Sequence, residues 1–274
     1  MKTLIIADSS ADMNNKIREA GSIVSVPLSI DVNGNHYVDD ESIDLAALRA
    51  DIRASEEAAK TAGVPPRFFI DRGQEGDRIF IVTLSSKLSG THSNALLAAE
   101  ELKQEGKEVH VFDSLSAASG VTAVACKIQE CLDRGMVSDE IVKTVQAHIE
   151  GQRTWFVLDD LSTVTKSGRM PRMAGRLAKG LSIKIICRGD QGKIAVDSIK
   201  RGMKSALEGL CQKIENDPVD WSDRTLYISH VEAEERALFI KDRLKNLSVK
   251  DIQILPANGL VTVYANEGGV VLAY

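Results

Sequence analysis

Three clusters of hydroxyl-bearing residues follow short apolar runs in the first half of the chain. They are Asp8-Ser9-Ser10, the loop from Ser85 to Thr91, and the turn from Asp113 to Ser116. The carboxyl ends of parallel strands share one sheet edge, where ligands bind. Each cluster also precedes a predicted helix, whose free N–H groups favour a carboxylate or phosphate. These residue types are also common N-caps, but three clusters at one edge favour a ligand site.

A second feature is a basic stretch between Leu161 and Gly189 that contains no acid. Its seven basic residues are Lys166, Arg169, Arg172, Arg176, Lys179, Lys184 and Arg188. Four of them, from Arg169 to Lys179, are spaced three or four positions apart, so a helix would carry them in one stripe. The stripe is either a solvated helix face or a docking site for an acidic partner or a phosphate.

Several motifs that would indicate other chemistry are missing. The sequence contains neither GxxxxGK[ST] nor GxGxxG, which argues against nucleotide binding through the usual loops. Asp8 lacks the second acid typical of phosphate-transfer sites, because position 10 is Ser10. No GxSxG motif is present, and the histidines and cysteines lack metal-ligand spacing. We therefore expect no metal and no cofactor.

The length and composition of the chain indicate a folded protein of two domains. The chain has 274 residues, of which 43% are hydrophobic and 27% charged, and its net charge of −5 argues against nucleic-acid binding. No apolar run approaches the ~20 residues of a membrane span, and the start of the chain lacks a signal-peptide pattern. We therefore expect a cytoplasmic protein whose four cysteines are reduced.

Alternating strand and helix patterns in the first half predict βαβ units and a parallel sheet. Asn33-Gly34 predicts a hairpin that gives the second strand an antiparallel partner. The predicted strands cover 2–7, 23–30, 78–84 and 108–112, and the predicted helices 12–20, 44–60, 90–104, 115–134 and 138–150.

The pattern becomes mixed after Gly151. We therefore predict an N-terminal α/β domain over 1–151 with a mostly parallel sheet, and a C-terminal α/β domain over 152–274 with a mixed sheet. In the second domain the predicted strands cover 154–158, 182–187, 193–199, 225–229, 251–255 and 260–264, and the predicted helices 203–216 and 233–247. The strands at 182–187 and 193–199 form a predicted hairpin.

Several segments resemble the DegV family in order and spacing over nearly the whole chain. The segment from Asp8 to Met13 is similar to its DS(T/S)xDL opening, and the segment from Leu84 to Thr91 to its LSSxLSGTY loop. Asp113 to Ser116 is similar to its DSxxxS turn, Lys166 to Met170 to its KGGRI motif, and Ile183 to Ile185 to IKPI. The chain is thus identified as a member of this family.

The resemblance implies a two-domain α/β fold that holds a long-chain fatty acid in an apolar tunnel between the domains. It implies that the protein is a carrier and not a catalyst. The carrier would present the carboxylate to the catalytic subunit of a fatty acid kinase. The carboxylate would bind Thr61 and Ser89, aided by the N–H groups of Gly90 and Thr91. Independently of the resemblance, the hydroxyl clusters at the predicted sheet edge make Ser9, Ser114 and Ser116 further candidate ligand-binding residues. Candidate residues for docking the kinase are Arg169, Arg172, Arg176 and Arg201.

Two segments depart from the family pattern. The family's TSQPSPGEF corresponds to the stretch from Thr61 to Phe69, which keeps Thr61 but loses the second hydroxyl. The family's HTGPG corresponds to the stretch from Tyr264 to Gly268, so that Tyr264 replaces a histidine and donates a hydrogen bond without a positive charge. Glu267 would repel a carboxylate if it faced the site.

The leading hypothesis is therefore a carrier of a fatty acid or a similar amphipathic carboxylate. One rival is an enzyme that acts on a small phosphorylated or hydroxylated metabolite, with Asp8 or Asp113 as the acid or base and the basic stripe holding phosphate. Another is an interaction protein that uses the stripe from Arg169 to Lys179 and binds no small molecule.

Overall fold

The computed structural model describes residues 1–21, 23–170 and 182–274. In chain order, the described strands are β1 Thr3–Asp8, β2 Ile23–Val26, β3 Ser29–Val32, β4 Asn35–Val38, β5 Lys60–Ala62, β6 Arg78–Thr83, β7 Glu108–Asp113, β8 Thr154–Val157, β9 Ile183–Asp190, β10 Lys193–Arg201, β11 Thr225–His230, β12 Asp251–Pro256 and β13 Val270–Ala273. The described helices are α1 Asn15–Glu19, α2 Leu45–Ala54, α3 Pro66–Gly73, α4 Thr91–Gln104, α5 Ser119–Asp133, α6 Ser138–Gly151, α7 Ser162–Lys166, α8 Met203–Glu215, α9 Glu234–Leu244 and α10 Gly259–Ala265. Among these residues, no helix is long and apolar enough to cross a bilayer.

The first sheet is parallel throughout, with the strand order β2-β1-β6-β7. Its two central strands are apolar along nearly their whole length, because helices cover parallel sheets on both faces. The side chains from Leu4 to Ala7 and from Ile79 to Val82 are buried, and they pack with residues of α4, α5 and α6 in one core. The parallel sheet predicted for the first half is confirmed.

The second sheet has six strands in the order β10-β9-β8-β13-β11-β12. Only the pair β11 and β12 is parallel among its described strands. Helices α8 and α9 cover one face, where Leu210 and Ile240 are fully buried. The predicted mixed sheet, the hairpin of β9 and β10, and the α/β class are confirmed. The domain boundary at residue 151 stays a prediction.

The predicted single strand over 23–30 is wrong, because the chain changes sheets there. Pro27 lies between β2 and β3, and its ring nitrogen has no hydrogen to donate to a ladder. Strand β3 belongs to a third, antiparallel sheet with the order β4-β3-β5, and its predicted hairpin turns at Asn33-Gly34, both with positive φ. The helix predicted over 44–60 is also wrong at its end, because Lys60 pairs with Asp31 in this sheet.

The predicted strand over 260–264 is wrong as well, because this segment is helix α10. A short apolar run is compatible with either a buried strand or a buried helix, and distant contacts decided the outcome here. Asp39 accepts hydrogen bonds from the N–H groups of Gly259 and Leu260, and Asp12 accepts one from Asn258 N–H. The final strand, β13, was not predicted, although it lies between β8 and β11.

Two buried carboxyl groups lie at the end of β1. Asp8 accepts hydrogen bonds from Leu84 N–H at 2.6 Å and from Ser10 N–H at 3.0 Å. Burial raises the pKa of Asp8 to about 6 and that of Asp12 to about 8, although hydrogen bonds to each carboxyl oppose the shift. The folded protein therefore holds protons that the unfolded chain has released.

We expect the free energy of unfolding to fall as the pH rises from about 6.5 to 8.5. Because the pKa of Asp12 is raised from its ordinary value of 3.8 to about 8 on folding, its share of the stability is lost progressively above about pH 4, and the loss continues until the pH passes about 8. Burial lowers the pKa of His148 to about 4, so that residue acts in the opposite sense, but only below about pH 6.5. Urea unfolding across this pH range checks the slope.

The Asp12→Asn variant is the matched control, and we expect a flatter pH profile for it. A wild-type stability that rises between pH 6.5 and 8.5, or an unchanged slope in the variant, would contradict this assignment.

Candidate functional site

A deep cavity lies between the first and second sheets and is walled by both halves of the chain. Its empty space, counted together with the part open to solvent, is about 900 Å³. Its walls are mainly apolar. The apolar side chains that line it include Leu28, Leu84, Leu88, Leu115, Phe156, Leu158, Val164, Ile194, Leu260, Val261 and Val271.

Polar side chains collect at one end of this cavity. The Thr61 Oγ1 and Tyr264 OH atoms are 2.7 Å apart and share a hydrogen bond. Ser89 Oγ lies 2.9 Å from Thr91 Oγ1. Arg169 donates from Nε to the Leu88 carbonyl at 3.0 Å, and its guanidinium carbon lies 5.2 Å from the centre of the Tyr264 ring. We call Thr61, Ser89, Arg169 and Tyr264 the polar end.

Four separate segments deliver these side chains. Thr61 lies on β5 opposite Ile30, and Ser89 precedes α4. Tyr264 lies in the last turn of α10, and Arg169 follows the left-handed Gly168 after α7. Arg169 and Lys193 are the charged residues that line the cavity, and no carboxylate lines it in the described part of the chain. Positive charge without any lining carboxylate among these residues suits a ligand that has an apolar body and an anionic group.

The other predicted ligand-binding residues have different surroundings. Ser116 lines the cavity, and its hydroxyl is 2.7 Å from Thr154 Oγ1. Gly90 and Thr91 lie beside Ser89 but outside the lining, and Thr91 Oγ1 accepts a hydrogen bond from Val64 N–H. Ser9 and Ser114 are buried and do not line the cavity.

The hydroxyl groups of Ser9 and Ser114 are used in contacts within the protein. Ser9 donates to Asp39, and Ser114 Oγ accepts from Ser116 N–H. The structure therefore brings Thr61, Ser89, Ser116 and Tyr264 to the cavity, but not Ser9 or Ser114.

The acids proposed for the rival enzyme are engaged with backbone groups. Asp8 is enclosed, as described above, and Asp113 Oδ1 accepts hydrogen bonds from Ser86 N–H and Leu115 N–H, each at 3.1 Å. Neither residue lines the cavity. Within residues 1–21, 23–170 and 182–274, no group of three or more acidic, histidine or cysteine side chains is placed to hold a metal ion.

Glu267 lies outside the cavity. It lines a separate polar cleft, where it forms ion pairs with Arg49, at 3.5 Å, and with Arg53. The left-handed Asn266 before it, with φ of 55°, reverses the chain at the end of α10. The altered segment after Tyr264 therefore adds no negative charge to the polar end.

Of the predicted docking residues, Arg169 lies in the cavity wall rather than on a free surface. Its contacts with Leu88 and Tyr264 were missed from the sequence, where it belonged to the basic stripe. The one available signal was Gly168, which permits the turn that directs Arg169 back to the site. Arg201 is exposed at the end of β10, and Arg172 and Arg176 lie outside the described residues.

Gly63 lets β5 approach the loop before α4, so we expect Gly63→Ala to destabilise the protein. A Cβ atom at Gly63 would lie 2.8 Å from Thr91 Oγ1 and 3.1 Å from Thr91 N. Overpacking of this kind costs about 1–3 kcal/mol, measurable by urea unfolding.

Gly90→Ala is the matched control. Gly90 has helical φ and ψ, and an added Cβ meets no atom within 4 Å. Equal stability losses in the two variants would refute this account of the packing.

The comparisons with known proteins agree over the whole chain. The family model described as "Uncharacterised protein, DegV family" matches residues 2–274. A DegV domain-containing protein of Streptococcus pneumoniae is 29% identical over 276 residues, which cover 98% of this chain and 98% of that protein.

Solved structures have the same fold. A DegV family protein of Ruminococcus gnavus, refined with vaccenic acid, has a TM-score of 0.91 and 34% identity over 99% of each chain. The fatty acid kinase (Fak) B3 protein of Streptococcus pneumoniae, loaded with linoleic acid, has a TM-score of 0.93 and 28% identity over 100% of this chain and 99% of that one. A DegV family protein of Eubacterium eligens, loaded with heptadecanoic acid, has a TM-score of 0.91 and 25% identity over 99% of this chain and 98% of the other. The chain described here belongs to the DegV family.

Proposed function

We propose that this protein binds one long-chain fatty acid, with the carboxylate at the polar end and the acyl chain in the apolar cavity. The observation that carries the proposal is the collection of three hydroxyls and one guanidinium at one end of a cavity with otherwise mainly apolar walls. A fatty acid has the same division into one small anionic group and a long apolar chain.

The polar end supplies both hydrogen bonds and charge. Thr61, Ser89 and Tyr264 each offer a hydroxyl, which donates to a carboxylate oxygen without needing a proton transfer. Arg169 adds a permanent positive charge, and hydrogen bonds between ionised groups are stronger than neutral ones. From the sequence, hydroxyls and N–H groups alone were expected to hold the carboxylate, so Arg169 is an addition to that prediction.

The acyl chain would supply most of the affinity. Thr154 and Phe156 on β8, and Leu158 just beyond it, alternate along the strand and line the cavity together. Leu115 and Ala118, which precede α5, also line the cavity. Each buried methylene group contributes about 0.8 kcal/mol, so burial of a long chain offsets the cost of immobilising it.

The solved relatives support this class of ligand. The Ruminococcus gnavus, Streptococcus pneumoniae and Eubacterium eligens structures named above contain vaccenic, linoleic and heptadecanoic acid, respectively. These three acids differ in length and unsaturation, but each has a single carboxylate on a long apolar chain. A carboxylate on a long apolar chain matches the polar end and the apolar walls of the cavity described here.

We further propose that the protein is a cytoplasmic carrier that presents the carboxylate to the catalytic subunit of a fatty acid kinase. The Streptococcus pneumoniae relative is named as a fatty acid kinase protein, which supports this role. Exposed Arg201, together with Arg172 and Arg176, remains our candidate for contacting that subunit, and Arg169 would act at the carboxylate. A carrier needs no catalytic acid or base, and the engagement of Asp8 and Asp113 with backbone N–H groups is consistent with that.

The test is the affinity of a Thr61→Ala, Ser89→Ala double variant for cis-parinaric acid, measured by fluorescence titration. Hydrogen bonds to a charged group contribute about 1.5–3 kcal/mol each. We therefore expect the dissociation constant to rise about 100-fold or more.

Ser86→Ala is the matched control, because Ser86 lies in the same loop but is exposed and does not line the cavity. Its affinity should equal that of the unmutated protein. An unchanged affinity in the double variant would show that the carboxylate binds elsewhere.

A further inference from the structure

The first N–H groups of the helix that carries Tyr264 donate to a buried carboxylate, Asp39, from a distant part of the chain. Asp39 follows β4, and its residue is only 2% exposed. Its two oxygens accept hydrogen bonds from Gly259 N–H at 2.7 Å and from Leu260 N–H at 2.9 Å. Asp39 does not line the cavity, so it would not touch a ligand there.

The surroundings of Asp39 leave it little freedom. Ser9 donates its hydroxyl to Asp39 Oδ2 at 2.7 Å and accepts a hydrogen bond from Leu28 N–H at 3.1 Å. A Cβ atom on Gly259 would lie 2.6 Å from Asp39 Oδ1, so the contact requires glycine at that position. Three donors therefore hold this carboxylate in one orientation.

This arrangement connects the two residues that share the hydrogen bond at the polar end. Asp39 lies at the end of β4, which pairs with β3, and β3 pairs with β5, the strand that carries Thr61. Helix α10, with seven residues, is too short to be stable alone, so its position depends on such contacts. Asp39 thus fastens the Tyr264 helix to the small sheet that carries Thr61.

We propose that Asp39 is a positioning residue for the carboxylate site, because its contacts with Gly259 and Leu260 place the Tyr264 hydroxyl against Thr61. The inference rests on the proposed function, since it concerns how the same site is assembled. Ser9, which was predicted to bind the ligand directly, supports Asp39 instead.

A double-mutant cycle tests the inference with cis-parinaric acid as the probe. Asp39→Asn replaces one acceptor oxygen by an NH₂ group, which would then face a donor. We expect this change to raise the dissociation constant about tenfold in the otherwise unmutated protein. In the Tyr264→Phe background we expect less than a twofold change, because the hydroxyl that Asp39 positions is already absent.

Two further variants keep the test decisive. Asp40→Asn changes the exposed neighbour of Asp39 and should leave the affinity unaltered. Ser9→Ala keeps the carboxylate and removes one of its donors, and it should show the same dependence on Tyr264 with a smaller effect. If the Asp39→Asn variant does not fold, the same double-mutant cycle is carried out with Ser9→Ala in its place.

The outcomes separate the two claims. An equal loss of affinity in both backgrounds would overturn the positioning role while leaving fatty-acid binding intact. Failure of the unmutated protein to bind the probe would overturn the proposed function and this inference with it.

Discussion

The hydrogen bond between Thr61 and Tyr264 joins two of the four side chains of the polar end. It forms only when the fold brings β5 and α10 together. The two residues are 203 positions apart in the sequence, yet their hydroxyl oxygens are separated by 2.7 Å. One partner sits on the small antiparallel sheet and the other on α10, and Val263 of that helix packs with Ile30, Val32 and Leu48. Helix α10 lies between β12 and β13 in the chain, so two strands of the second sheet flank the segment that carries Tyr264.

Buried acids in this protein act as acceptors for backbone N–H groups. Asp8 holds Leu84 at the start of the loop that leads to Ser89, Asp12 holds Asn258, and Asp39 holds the start of α10. Burying an ionised carboxyl group is costly, and the raised pKa values of Asp8 and Asp12 show that these hydrogen bonds offset only part of that cost. Asp8, one of the two acids considered for the rival enzyme, therefore holds a loop instead of lining the cavity, which suits a protein that binds a ligand without transforming it.

Local patterns predicted the fold wherever periodicity was strong. The apolar strands that became β1 and β6, the Asn33-Gly34 hairpin, and the long helices α4 and α6 follow directly from residue type and spacing. Two of the failures share a cause: β5 and α10 are short and take their conformation from distant partners, Asp31 and Asp39 respectively. For the site, the family resemblance supplied Thr61, Ser89 and Tyr264. Gly168 indicates a turn before Arg169, but a local pattern does not identify the distant Tyr264 ring as the partner of Arg169.

Native mass spectrometry of the freshly purified protein, followed by organic extraction, tests the account most directly. The proposed function predicts one bound molecule per chain, with a mass that extraction identifies as a fatty acid of about sixteen to eighteen carbons. It also predicts that the delipidated protein takes up added fatty acid. A protein that carries no lipid and takes up none when fatty acid is supplied would contradict the account.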